Sequence, residues 1–286
     1  MHVVLDFDGT ITEHDTIGVL ASFAISYQRR HRGSDLSSAW AHILEEYASD
    51  LGRHVTVYQP QEPVRIAPKQ EIAFLRSLRH IELRSLARVQ ASGLFAGIST
   101  TELEQAGRKA VQGGEVRIRK GFSDFVREAA RDGRRDISVV SVNWSASFVR
   151  GVLSTVGVEL DVLANEVLGP EDGRILGPAR REGKVMVTSE DKLDVVKTLL
   201  ERERREGNES AGVVYFGDSA TDLECLLEGK GVVVANGPDG KLLGTLRRLR
   251  VGVNHLSETP AGQATVAWAR DFDEVRRWDL FGLGSG

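Results

Sequence analysis

The chain opens on His2-Val-Val-Leu-Asp-Phe7, a short apolar run rich in β-branched residues that gives way at once to Asp8-Gly9. A strand that is apolar at consecutive rather than alternate positions has no solvent face, so it belongs in a parallel sheet covered on both sides. Three further runs, at residues 137–142, 212–216 and 231–235, share this character and end in small or polar residues. Helix-periodic stretches at 122–131, 146–156 and 192–206 lie among them. Buried strands alternating with helices predict an α/β fold, a Rossmann-like parallel sheet flanked by helices.

The interval 15–117 has a different texture. It is helix-periodic over 16–27, 36–51, 69–89 and 100–111, with a turn at Gln59-Pro60-Gln61-Glu62-Pro63 and no buried-strand run. We therefore expect a helical insertion at 15–117 into a core made of 1–14 and 118–286, with Gly113-Gly114 marking the return. Turn signals at Gly169-Pro170, Asp172-Gly173 and Gly177-Pro178 predict a small antiparallel hairpin excursion within 161–189. The Gly-rich tail at 281–286 is expected to fray.

Composition narrows the function classes. A formal net charge of −4 over 286 residues argues against a polyphosphate backbone as the main partner, and basic pairs such as Arg134-Arg135 read as solvated faces. No apolar run approaches the roughly 20 residues needed to cross a bilayer, and charge arrives by Asp6, too early for a secretory leader. The single cysteine, Cys225, excludes an internal disulfide and reads as a small buried apolar group. A soluble, cytoplasmic protein without membrane or nucleic-acid partners is expected.

Two acidic clusters carry the chemistry. In Asp6-Phe7-Asp8-Gly9-Thr10 the first strand ends on two carboxyl groups that alternation places on one side. Left uncompensated, such a pair raises its own pKa values, so the site holds a cation or shares a proton. The second cluster, Gly217-Asp218-Ser219-Ala220-Thr221-Asp222, follows the run at 212–216. Open parallel sheets bind ligands beyond the carboxyl ends of their strands, which brings Asp6, Asp8, Asp218 and Asp222 toward one crevice. Hard oxygen donors with no neighbouring His or Cys favour Mg²⁺ over zinc. Ser141 and Asn143 end another strand, and Asp191-Lys192 opens a helix, where an ammonium and the helix N-terminus both favour an anion.

Taken in order, these residues resemble the four motifs of the haloacid dehalogenase-like hydrolase superfamily. Asp6-Phe-Asp-Gly-Thr10 is similar to the first, Ser141 to the second, Lys192 to the third and Gly217-Asp218-Ser-Ala-Thr-Asp222 to the fourth. The resemblance implies that Asp6 is the nucleophile that takes a phosphoryl group and Asp8 the acid and base of the two half-reactions. It implies a Mg²⁺ site made by Asp6, the backbone carbonyl of Asp8 and Asp218, with Asp222 in support. Thr10, Ser141, Asn143 and Lys192 would bind phosphate. It also implies that the insertion is a cap selecting a small phosphorylated metabolite. The stretch at 215–228, with Ser141-Val-Asn-Trp-Ser145, looks similar to the phosphatase domain of plant and fungal thiamine monophosphate phosphatases.

Trp144 is a candidate for contact with a substrate ring, and Trp40, Tyr47 and Glu45 in the insertion for aromatic and acidic contacts to a cation, against the plainer reading of core aromatics. His14 is read as a hinge histidine rather than a catalytic one. A phosphotransferase or mutase, or a catalytically silent phosphate-binding protein, remain as alternatives, and a monomer or a homodimer is expected.

Overall fold

The protein is described by a computed structural model over residues 2–131, 137–168, 171–205, 212–258 and 265–277. Arg134-Arg135, the Gly169-Pro170 turn and the tail at 281–286 lie outside the described residues. The strands are β1 (His2–Leu5), β2 (Ile137–Val140), β3 (Asp161–Leu163), β4 (Glu166–Leu168), β5 (Arg174–Leu176), β6 (Val213–Gly217), β7 (Lys230–Val234), β8 (Asn254–His255) and β9 (Val266–Ala269). The helices are α1 (Ile17–Arg32), α2 (Ser37–Val57), α3 (Pro68–Ser77), α4 (Arg79–Ala91), α5 (Thr100–Gly113), α6 (Phe122–Arg131), α7 (Ala146–Leu153), α8 (Ser189–Arg205), α9 (Leu223–Glu228), α10 (Lys241–Arg248) and α11 (Phe272–Arg277).

Seven strands form one sheet in the order β3-β2-β1-β6-β7-β9-β8, and each neighbouring pair runs parallel. The consecutive apolar residues of β1 serve two cores. Val3 and Leu5 pack on one face with Phe122, Phe148 and Phe272, while Val4 faces the other with Val196, Tyr215 and Leu226. Helices on both faces thus account for the absence of alternation in the sequence.

Several elements differ from expectation. The helix foreseen over 69–89 is two, α3 and α4, meeting at Leu78; no Gly or Pro marks the join. Asp161–Leu163, expected in the hairpin, instead lies parallel to β2 at the edge of the main sheet, and only β4 and β5 form the antiparallel pair. The apolar Lys184-Val-Met-Val-Thr188 run is not a strand, because Asn165 acts as its partner: Met186 N–H donates to Asn165 Oδ1 at 2.7 Å and Asn165 Nδ2 donates to the Met186 carbonyl at 2.9 Å. Strands β8 and β9, two and four residues long, were not expected from the sequence. Cys225 is buried on α9, as expected.

The two ends of the stretch expected as an insertion lie side by side. Thr12 and Ile118 bridge antiparallel, with Arg119 N–H donating to the Ile11 carbonyl at 2.7 Å and Glu13 N–H to that of Arg117 at 2.9 Å. Its helices rest on the core through ion pairs: Arg76 with Glu224, Arg79 with Asp191, and Arg248 with Glu71.

Helix α5, although within 15–117, packs backbone to backbone on α7. A Cβ on Gly107 would stand 2.2 Å from the Phe148 carbonyl oxygen, and one on Gly151 would stand 2.0 Å from that of Glu104. Both neighbours are backbone and cannot swing aside. Gly151→Ala is therefore expected to cost about 2 kcal/mol through forced separation of the helices, lowering Tm by roughly 4–8 °C in a thermal melt. An unchanged Tm would show that the two helices part freely.

Candidate active site

The carboxyl ends of β1, β2 and β6 place the site. Leu5 is in register with Val139 on one side and Phe216 on the other, so the residues that follow, Asp6, Ser141 and Asp218, emerge along one edge of the sheet. Asp6 is held by its own N–H, which donates to the Phe216 carbonyl at 2.8 Å. The chain then turns at Gly9, whose φ of +75° suits glycine. A Cβ there would come within 2.2 Å of Asp218 Oδ2, so the first acidic loop lies directly on the second.

At the centre is Lys192, fully buried on α8. Its ammonium donates to Asp6 Oδ1 at 2.6 Å and to Asp222 Oδ1 at 2.7 Å. Burial works to lower its pKa, but Asp222 and Asp6 outweigh burial and the net shift is upward, so Lys192 holds its proton. Its position follows from its neighbour. The Asp191 carboxylate caps the start of α8 by accepting from the N–H groups of Val187 and Thr188, and is itself clamped by Arg79 and Arg181.

The acids play distinguishable parts. Asp222 is buried and accepts five hydrogen bonds, from Lys192, the Tyr215 hydroxyl, the N–H groups of Asp218 and Ser219, and the Ser219 hydroxyl. Asp6 and Asp218 remain freer: Asp218 Oδ1 accepts from the Thr10 hydroxyl at 3.3 Å. Burial, then the Asp222 charge, push Asp218 up to about 7 and hold Asp6 well above the usual carboxylate range, with Lys192 pulling both the other way. Asp8 turns its carboxylate away from this group. It accepts from the Thr16 N–H at 2.8 Å, the Thr16 hydroxyl at 2.7 Å and Asn143 Nδ2 at 2.9 Å. Burial raises it to about 6, against those hydrogen bonds, which suits a group that must both give and take a proton near neutrality.

Ligand atoms of Asp6, Asp218 and Asp222 lie within 4.8 Å of one another. Two buried carboxylates, Asp6 and Asp222, and the half-buried Asp218 beside one ammonium leave an excess of negative charge that a hard divalent cation relieves. Of the expected phosphate binders, Ser141, Asn143 and Lys192 line the cavity, and Lys192 retains a third N–H to donate. The side chains of Thr10 and Asn143 are engaged elsewhere, with Asp218 and with Asp8 and Thr16.

The cavity holding these groups has a volume of about 530 Å³. Its far wall comes from the insertion, where Trp40, Ile43, Leu44 and Tyr47 line it at helical spacing along α2. Trp144 also lines it, with its ring edge-on to Trp40 at 6.0 Å. Glu45 is exposed and lies off this stripe; the acid in the wall is Glu82 of α4. His14 lies in an adjoining cleft with Arg119 and Asp239.

Sequence reasoning missed three supporting residues. Thr16 orients Asp8. Tyr215 could have been found, since a buried tyrosine inside a strand needs a partner for its hydroxyl, here Asp222. Arg119 is 6% exposed and donates to the carbonyls of Gly9, Thr10 and Thr12, gripping the loop that follows the first strand. No motif announces it.

The sequence profile of the haloacid dehalogenase-like hydrolases matches residues 3–227. The chain belongs to this family. Among curated proteins, a haloacid dehalogenase-like chain of this kind is similar to a CTO1 family protein of Schizosaccharomyces pombe, 26% identical over 79% of this chain and 78% of that protein. It is also similar to the Bifunctional TH2 protein, mitochondrial, of Arabidopsis thaliana, 26% identical over 84% of this chain, which spans only 40% of that relative. Among solved structures, a phosphoserine phosphohydrolase-like protein from Francisella tularensis aligns with a TM-score of 0.53 at 14% identity, over 96% of this chain and 98% of the other. A phosphoserine phosphatase carrying a phospho-aspartyl intermediate analogue aligns at 0.51 and 15% identity, over 97% of each. These two likenesses speak to the fold, a haloacid dehalogenase-like α/β core. Among the described residues, no helix is long and apolar enough to cross a membrane.

Proposed function

We propose that the chain is a Mg²⁺-dependent phosphatase that hydrolyses a small phosphomonoester through an aspartyl-phosphate on Asp6. The observation that carries this reading is the meeting of Asp6, Lys192, Asp218 and Ser141 with a separately held Asp8 in one cavity. Asp6 and Asp218 would hold the metal, together with the Asp8 carbonyl that the family resemblance implies, and Asp222, its hydrogen bonds occupied, would stand behind them. When bound, Mg²⁺ neutralises charge on the phosphoryl oxygens.

Lys192 and the Ser141 hydroxyl hold the phosphoryl oxygens. A carboxylate oxygen of Asp6 attacks phosphorus; the ester P–O bond breaks, and its electron pair departs on the leaving oxygen, which takes the proton of Asp8. In the second half Asp8, now ionised, removes a proton from water, whose oxygen attacks the same phosphorus and frees inorganic phosphate and Asp6. Thr16 and Asn143 keep Asp8 pointed for both transfers. Residues 15–117 act as a cap over a core of 1–14 and 118–286, excluding bulk water while the intermediate forms.

Thiamine monophosphate is the first substrate to try, from the sequence similarity at 215–228 and 141–145; the match to a plant relative supports it. The deciding experiment measures phosphate release from a panel of phosphorylated metabolites, including thiamine monophosphate and pyridoxal phosphate, with Mg²⁺. At least one should turn over, and EDTA should lower the rate by about 10²-fold or more, with recovery on adding Mg²⁺. Activity indifferent to EDTA would remove the metal assignment, and no release from any phosphomonoester would remove the phosphatase reading.

A further inference from the structure

The wall of the cavity opposite the acidic cluster has a chemistry of its own. Glu82, from α4, is the acid there, and its carboxylate accepts a hydrogen bond from the Tyr47 hydroxyl at 2.7 Å. Apart from Ser85, one turn along α4, the lining around it is aromatic or aliphatic, with Trp40 and Trp144 edge to face. Lys192 is the one basic side chain among the described residues that line the cavity, and it is bound to Asp6 and Asp222. No ion pair joins Glu82 to a cation among the described residues, and burial holds its pKa above the usual range. A partly buried carboxylate with a tyrosine and two tryptophans for company is stabilised by any cation that enters, because the charge pairs with Glu82 and the ring faces attract it as well.

We propose that Glu82, with Tyr47, Trp40 and Trp144, forms the leaving-group subsite and selects phosphomonoesters whose alcohol carries a positively charged nitrogen heterocycle. This rests on the phosphatase reading and goes beyond it, since it fixes the chemistry of the alcohol and the residue that reads it. The same lining disfavours alcohols bearing a carboxylate, because among the described residues no arginine or free lysine lines the cavity. Phosphoserine, whose carboxylate would have to sit among Glu82 and the indoles, is expected to be a poor substrate despite the fold shared with phosphoserine phosphatases.

The test has a binding arm and a kinetic arm, both with Mg²⁺. Calorimetric titration with thiamine, a cationic heterocyclic alcohol without phosphate, should show binding to the wild type that weakens about tenfold in Glu82→Gln, the loss of one cation contact of the size expected at a partly desolvated site. The ratio of kcat/KM for thiamine monophosphate to that for p-nitrophenyl phosphate should fall by a similar factor, chiefly through KM. Tyr47→Phe, which keeps the ring and the acid, should move both readouts in the same direction by less. Melting curves confirm that the variants are folded.

If the wild type binds no thiamine, or if Glu82→Gln leaves both the affinity and the ratio unchanged, the subsite is wrong, while hydrolysis of p-nitrophenyl phosphate would still uphold the phosphatase. If thiamine binding depends on Glu82 but no phosphomonoester is hydrolysed, the subsite stands and the phosphatase reading falls.

Discussion

Asp6→Asn is expected to lower phosphate release by about 10⁴-fold or more, with the protein still folded. The amide cannot attack phosphorus, yet it matches the carboxylate in shape, and its Oδ1 can still accept from Lys192, which now stands 2.6 Å away. Burial of Asp6 beside Asp222 and Asp218 already disfavours its charge, so removing that charge relieves repulsion while weakening the ion pair. These effects oppose each other, and Tm should move by only a few degrees. Phosphate release and a thermal melt on the same preparation decide the matter. Retained turnover would show that Asp6 is not the nucleophile, whereas loss of turnover with loss of fold would mean that the residue holds the structure instead.

Lys192→Met should act on both stability and rate. The parent ammonium is fully buried between two carboxylates, and taking away one partner of a buried ion pair leaves an uncompensated charge, costing about 3–5 kcal/mol. Tm should fall by roughly 10 °C, and the rate by about 10²–10³-fold through loss of a donor to the phosphoryl oxygens. Added Mg²⁺ should return part of the lost stability, because a cation among Asp6, Asp218 and Asp222 offsets the same excess charge, and it should not return the rate. A variant as stable as the parent without Mg²⁺ would mean that the carboxylates take up protons at little cost, and that Lys192 does not hold the cluster together.

The parts of the site that were legible in the sequence are those governed by local rules. Asp6 and Asp218 could be placed because each ends a continuous apolar strand, and a parallel sheet gathers such ends on one edge. Lys192 was visible through its place at the start of a helix. Arg119 was not, because it meets Thr10 from 109 positions away, and Thr16, though only eight positions from Asp8, was not because the turn that brings them together carries no sequence signature. Glu45 and Glu82 make the same point. The aromatic stripe of α2 could be read from its spacing, but the acid that accompanies it comes from another helix, and no local pattern names which one. The division of 69–89 into two helices was hidden for a different reason: the break at Leu78 is made by packing, without a residue that breaks helices.

Arg119 ties together three carbonyls of the loop after β1, and it does so from the segment by which the chain re-enters the core. The clasp lies beside the bridge of Thr12 and Ile118, so the backbone just after Asp8 is braced by Arg119, while the Asp8 carboxylate itself is held by Thr16 and Asn143. Under the proposed phosphatase reading, segments of different length or sequence placed between Thr12 and Ile118 would alter which alcohol is accepted while the backbone of that loop keeps its shape.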